Sequence, residues 1–387
     1  MDASADTIVV GLGAVGSATL LSLARRGVRC LGIDRFRPPH SHGSSHGLSR
    51  IIRLCYFEHP DYVPLLRESY RLWEQLQADT PEPIFRTTGG LYLGEPDDAF
   101  VRGSLHSART HGLAYELLDH AALTRQFPQF NARSTEVGFF EPTAGVLFPE
   151  NAIAANLRHA AALGARIVTD EAVLRWSAHP RGVEVRTDTR TQSAGSLILT
   201  AGAWMPTMIA PLRTRLRVTR QVLAWFRAKG DVRICVPSMP VWVVGQPDGS
   251  GYYGFPIFTE LDPRTNQPLG GNGVKVALHA EGEIADPDHV DRVVRPHEVA
   301  ALAAFLFDRL PYACGAAPEL LDARVCLYTN TPDHHFLLDQ HQDHRNVVVV
   351  SACSGHGFKL STVIGRGAAD LATTGTTDLP IAFLGWR

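Results

Sequence analysis

The apolar positions change period twice within the first forty residues. Residues 7–10 are a short β-branched run, the pattern of a buried strand. Leu20, Leu21 and Ala24 then recur at helical spacing, Gly27 closes that helix, and residues 28–33 return as a strand ending on Asp34. Residues 62–77 form an amphipathic helix through Leu65, Leu66, Leu72, Trp73 and Leu76. The pattern predicts helices over 98–112, 119–127, 151–163 (closed by Gly164) and 297–310, and from Ser361 onward. It predicts strands at 87–94, in 138–148 around a turn at 142–145, and at 166–169, 182–187 and 197–200. Further strands fall at 217–227, 240–244, 251–258, 274–279, 324–329 and 346–351, and residues 259–273 read as a Pro- and Gly-rich loop. Alternation puts Lys275, Ala277 and His279 on one strand face, and Cys326 with Tyr328 opposite Val325 and Leu327. This order predicts an α/β protein: a Rossmann-like domain from the discontinuous segments 1–86, 145–215 and 321–387, with an α+β second domain from 87–144 and 216–320.

Composition narrows the function. A chain of 387 residues is too long for one core, and 45% apolar with 20% charged residues is ordinary for a globular protein. A net charge of −2 attracts neither nucleic acid nor an anionic membrane, so neither partner is expected. The 6 cysteines show no C-x-x-C spacing, and His40, His42 and His46 lack acidic or cysteine partners at ligand spacing, so no disulfide framework and no metal are expected. The acidic residues 1–6 do not read as a signal peptide, the final LGWR is no targeting signal, and no apolar run nears the ~20 residues of a membrane span. A cytoplasmic monomer or weak homo-oligomer is expected.

Gly11, Gly13 and Gly16 lie between the first strand and helix in the order G-x-G-x-x-G. Gly11 suits the tight turn, Gly13 the approach of a pyrophosphate, and Gly16 close helix–strand packing. Asp34 is spaced to accept a ribose hydroxyl, and an acid there disfavours NADP while leaving NAD and FAD open. Arg50 and Arg53, three apart, would share one face of a helical turn and suit an anionic substrate. Residues 200–204 and 355–359 are further strand–glycine units that can pack beside a nucleotide.

Taken in chain order, PPHSHGSSHGLSRIIR (38–53), YYGFP (252–256), KVALH (275–279), CLYTNTPD (326–333) and SGHGFK (354–359) resemble the monomeric sarcosine oxidase family. That family includes N-methyltryptophan oxidase and the L-pipecolate oxidases, within the D-amino-acid-oxidase-like flavoproteins. The resemblance runs nearly end to end and implies FAD as the dinucleotide, attached through sulfur at Cys326. It implies that Arg53 and Lys359 hold the substrate carboxylate and that Lys275 lies over the flavin, where oxygen reacts. His279, Tyr253, Tyr328, Arg50 and His46 match active-site positions. The cofactor set comprises Gly11, Gly13, Ala14, Val15 and Gly16, then Asp34, Arg35, His42, Ser45, Ser49 and Arg50. It continues with Val173, Ala201, Gly202 and Trp204, and closes with Cys326, Gly355, Gly357, Phe358 and Lys359.

The implied activity is oxidation of a secondary amino acid, N-methyl or cyclic, at its C–N bond to an imine, with O2 reduced to H2O2. A small-molecule amine and O2 are thus the expected partners. Two departures stand out. The 259–273 loop is longer than in sarcosine oxidases, which suggests a changed lid or pocket, and Leu48 replaces a polar residue. A tailoring oxidase acting on a larger amine is therefore the alternative. An NAD-dependent dehydrogenase or a non-catalytic nucleotide binder would leave Lys275, Cys326 and Lys359 unexplained.

Overall fold

The computed structural model describes residues 5–315 and 317–386; the expectations for residues 1–4 and Arg387 lie outside them. Ala5–Val10 is the centre of the first sheet. Cys30–Ile33 and Thr191–Leu199 flank it in parallel, with Arg166–Val168 beyond the former and Val347–Ser351 beyond the latter. Both faces of these strands are covered, which is why they read as continuous apolar runs rather than alternating ones. Val9, Ile198 and Val348 pack beneath helices Ala14–Arg25, Tyr62–Ala78, Pro149–Ala162 and Ser361–Thr374; Ile8, Leu197 and Val347 face Val183, Val185 and Met205. The strand Val173–His179 has no predicted counterpart: a register shift between Val173 and Arg175 breaks the alternation of Val173, Trp176 and Ala178, which pack half-buried against the core.

The second sheet runs in the order Leu320–Asn330, Arg217–Phe226, Val274–His279, Gly251–Gly254, Val241–Gly245, Gly90–Gly94, Val137–Glu141, Glu116–Leu118. Helix Pro296–Arg309 packs Leu302, Phe305 and Leu306 against its Trp242, Val274 and Val276. The division expected at residue 321 falls inside Leu320–Asn330, whose pairing with Arg217–Phe226 carries the whole strand into this sheet.

Two local expectations are corrected. Arg50 and Arg53 do not share a helical turn. The β-branched Ile51 and Ile52 put Arg50–Ile52 in a strand, antiparallel to Gly145–Leu147. Nor is the 259–273 segment a lid. Leu261–Asp262 and Gln267–Pro268 pair as a small hairpin, Leu269 packs with Phe148, Phe255 and Phe258, and the Trp225 indole donates to Gly270 O at 3.1 Å. None of its residues reaches the large cavity described below. Among the described residues no helix is long and apolar enough to cross a membrane.

Candidate active site

The glycine turn is built by exclusion. A Cβ on Gly11 (φ +86°) would lie 2.6 Å from Thr200 O, and one on Gly16 would lie 1.7 Å from Gly11 O. Neither position has room for a side chain. Gly13 differs, because its Cβ would meet only Ser45 Oγ at 3.5 Å. Thr200 ties the strand ends together by donating to Val10 O (2.9 Å) and Gly11 O (2.7 Å). Helix Ala14–Arg25 then starts with no side-chain cap from Gly13, and Ser45 Oγ accepts the Ala14 N–H at 3.3 Å. A helix start beside a bare glycine, with Ser45 on its first N–H, is a cradle for a diphosphate. Asp34 accepts Leu12 N (2.6 Å) and Phe36 N (2.8 Å), so it shapes the turn as well as facing the cavity.

A cavity of about 510 Å³ opens outside the carboxyl ends of the parallel strands, the usual ligand position in such sheets. Asp34, Arg35, Val173 and Trp204 line one end; Gly11, Gly13, Ala14, Val15, Ser45, Arg50, Ala201 and Gly202 follow. Tyr253, His279, Cys326, Tyr328, Gly355, Gly357, Phe358, Arg53 and Lys359 line the other. Five expected residues do not line it: Gly16, His42, His46, Ser49 and Lys275. Gly16 is spent on packing, and His42 stacks on Phe36 with centroids 4.0 Å apart. The glycine cradle and Ser44, which lines the cavity with a hydroxyl lacking any partner among the described residues, fit a bound dinucleotide.

Beneath the middle of the cavity lies a cationic cluster. Arg50 donates to Ser44 O (2.8 Å), His46 O (2.6 Å) and Ser49 O (2.8 Å), and its guanidinium stands 3.8 Å from Cys326 Sγ. Burial pushes the Cys326 thiol pKa up, while Arg50 and Lys275 oppose that rise. The Lys275 ammonium donates to Gly47 O (2.5 Å), Ser49 O (2.9 Å) and Ser49 Oγ (3.0 Å). Burial, reinforced by Arg50, holds its pKa well below the ordinary lysine range. His46 is buried with neither ring nitrogen partnered among the described residues, and burial lowers its pKa to about 3.

At the far end the expected pair of free cations is altered. Arg53 points both carboxylate bonds at Glu58, 2.7 Å to each oxygen, and stacks over Tyr56 and Phe57. Burial alone would raise the Glu58 pKa, but Arg53, His356 and Lys359 outweigh it and bring it to about 2. Glu58 was not among the expected residues; the available signal was an acid five positions after Arg53. Lys359 donates to His356 O at 2.8 Å, and burial, with Arg53, lowers its pKa to about 7. Burial likewise holds His279 at about 4 and His356 at about 3, so both imidazoles are neutral near pH 7. His279 Nδ1 lies 3.4 Å from the Tyr328 hydroxyl, and His356 Nδ1 contacts the Tyr56 hydroxyl.

A family model described as FAD dependent oxidoreductase matches residues 6–371. The chain is 40% identical over 384 residues to monomeric sarcosine oxidase of Streptomyces avermitilis, spanning 98% of this chain and 97% of the relative. It is 33% identical over 379 residues to N-methyl-L-tryptophan oxidase of Salmonella arizonae, spanning 97% and 96%. Among solved structures it superposes with a TM-score of 0.82 and 26% identity on NikD, an unusual amino acid oxidase essential for nikkomycin biosynthesis, covering 99% of this chain and 98% of that one.

The Lys359 environment generates a pH prediction. Its ordinary pKa of 10.5 is lowered to about 7, so the cation is present below that pH and lost above it. Affinity for a simple carboxylate such as acetate, read from spectral titration, should therefore fall above about pH 7, by up to about tenfold per unit. In Lys359→Met the slope over this range should disappear. A profile that stays flat in the unsubstituted protein would show that Lys359 does not meet the carboxylate.

Proposed function

The chain belongs to the FAD-dependent oxidoreductase family, and on that footing we propose that it is an oxidase of secondary amino acids. N-methyl or cyclic imino acids such as sarcosine or L-pipecolate are oxidised at the C–N bond to an imine, with O2 reduced to H2O2. The observation that carries this reading is one cavity with a glycine cradle at one end, Cys326 beside Arg50 in its middle, and Arg53 with Lys359 at the other. FAD, when bound, accepts the two electrons lost from the C–N bond and passes them to O2. Gly13, Val15 and the start of helix Ala14–Arg25 would hold its diphosphate, and Asp34 and Arg35 its adenosine end.

Lys359 and Arg53 would hold the substrate carboxylate, with Arg53 shared between the substrate and Glu58. The neutral His279 can accept a hydrogen bond from the amine without repelling it, and Tyr253 and Tyr328 close that side. We assign the cofactor unit to residues 1–86, 145–215 and the C-terminal segment, and the substrate unit to 87–144 and 216–320, whose sheet the strand Leu320–Asn330 joins. A second reading, a larger amine substrate, is favoured by the apolar lobe of Ile51, Phe57, Phe100 and Val243 in the same cavity.

A peroxide-coupled screen of sarcosine, pipecolate, proline and bulkier N-methyl amino acids tests the function. Peroxide release with a secondary amino acid is the expected result, and release only with the bulkier amines selects the second reading. A protein that binds no flavin and releases no peroxide with any of them sinks both.

Cys326 is proposed to carry the flavin as a thioether at its 8α carbon. The S–H bond and one C–H bond break, a C–S bond forms, and O2 leaves as H2O2 with the two electrons and two protons. The Arg50 guanidinium favours the thiolate that this needs. Cys326→Ser should leave all of the FAD extractable by acid, because a hydroxyl is a far poorer nucleophile. Flavin that stays in the acid pellet of that variant would refute the assignment.

Lys275 is proposed to supply the charge that favours reduction of O2. Lys275→Met keeps the long stem and removes the ammonium. Stopped-flow absorbance should find reoxidation slowed by orders of magnitude, each ~1.4 kcal/mol of lost stabilisation being tenfold. Anaerobic reduction by substrate should change only modestly. The reverse pattern would move Lys275 to the substrate side.

A further inference from the structure

The strand Arg50–Ile52 has Arg50 at its start, and Arg53 follows its end. Each flank of this strand is held by a carboxylate from the segment that supplies its antiparallel partner, Gly145–Leu147. Before the strand, Glu150 accepts Gly47 N at 2.8 Å and Leu48 N at 3.1 and 3.2 Å. After it, Glu141 accepts Leu54 N at 2.5 Å, Cys55 N at 3.1 Å and the Thr143 hydroxyl at 2.9 Å. Glu141 is 0% exposed, and neither carboxylate lines the cavity.

The first flank needs such a partner. Gly47 (φ +100°) and Leu48 (φ +69°) are both left-handed, a costly conformation for leucine that persists only where its surroundings over-determine it. Two consecutive N–H groups turned to one carboxylate provide that constraint. The carbonyls of the same turn go the other way: Gly47 O and Ser49 O to Lys275, His46 O and Ser49 O to Arg50. Glu150 on the N–H side therefore fixes where both cations find their acceptors. On the second flank, fixing Leu54 and Cys55 fixes the backbone that follows Arg53, and Cys55 O is itself an acceptor for its guanidinium at 3.3 Å.

We propose that Glu150 and Glu141 are positioning residues that divide the site between them. Glu150 sets the Arg50–Lys275–Cys326 end, and Glu141 sets the Arg53 end. The division rests on the reading of those ends as the flavin and carboxylate ends.

The test compares Glu150→Gln and Glu141→Gln in the full-length protein. Glutamine keeps the size but turns one acceptor into a donor facing a backbone N–H. Three readouts are taken: amide hydrogen exchange, the rate at which added FAD becomes acid-stable on the apoprotein, and affinity for acetate. Glu150→Gln should speed exchange at residues 47–48 and slow attachment, each by about tenfold or more, with acetate affinity within about twofold. Glu141→Gln should speed exchange at 54–55 and weaken acetate by about tenfold, with attachment within about twofold. If a glutamine variant does not fold, the aspartate at that position keeps the charge and should give the same partition with smaller changes. Variants that disturb both ends alike, or neither, overturn the proposal. An unsubstituted protein that neither attaches FAD nor binds acetate overturns instead the assignment of the ends, and the exchange pattern still decides whether each carboxylate holds its own flank.

Discussion

A side chain at position 16 would stand 1.7 Å from the Gly11 carbonyl oxygen, and one at position 11 would stand 2.6 Å from Thr200 O. The rest of the site follows from that lack of space. Because helix and strand meet at backbone contact, the helix start, the ends of strands Ala5–Val10 and Cys30–Ile33, and the Thr200 turn converge on one point. A cavity must form where these strand ends separate, and the helix start faces it with a partial positive charge. The final helix, Ser361–Thr374, is brought to the same opening by Gly355 and Gly357, where a Cβ would strike Tyr328 at 2.6 Å and Ala352 O at 1.8 Å.

The second constraint is charge. Arg50, Lys275, Arg53 and Lys359 are brought close to one cavity, three of them at most 5% exposed. Each buried charge costs several kcal/mol unless it is compensated. The protein settles each differently. Arg53 has a carboxylate, Glu58. Arg50 has three carbonyls, Lys275 has two carbonyls and a hydroxyl, and Lys359, with one carbonyl, gives up its proton near neutrality. Carbonyls solvate the Arg50 guanidinium without neutralising it, so the middle of the cavity keeps a positive potential. The two histidines are neutral for the same reason of burial, which leaves hydrogen bonding rather than charge as their contribution.

Much of this was legible in the residues alone. The three glycines have sharp local consequences that any chain must obey, so their roles in the turn follow from spacing. Alternation puts Lys275, Ala277 and His279 on one face, because a strand has only two, but does not say which way that face points; the fold packs Ala277 with Cys326 and lines the cavity with His279. The motifs around Cys326 and Lys359 carried the family, and with it the cofactor. What local pattern misread was the neighbourhood of Arg50: a three-residue spacing looks helical, but two β-branched isoleucines and a partner strand almost a hundred residues away made it extended.

Only tertiary contact could decide the rest. The length of the 259–273 segment carries no direction; in the fold Leu269 packs with Phe258 into a core that meets the cavity only through Ile51 and Tyr253, and none of the segment's own residues lines the cavity. Glu58, Glu141 and Glu150 are unremarkable acids in the sequence, yet each closes hydrogen bonds that hold an arginine or its backbone in place. The sequence by itself determined the α/β class, the nucleotide turn, the family and most of the residues around the cavity, since these depend on period, backbone sterics and motif. The tertiary structure alone decided which charges are paired, which are neutral and which face the cavity, because a pKa or an ion pair depends on burial and distance between residues that no spacing along the chain records.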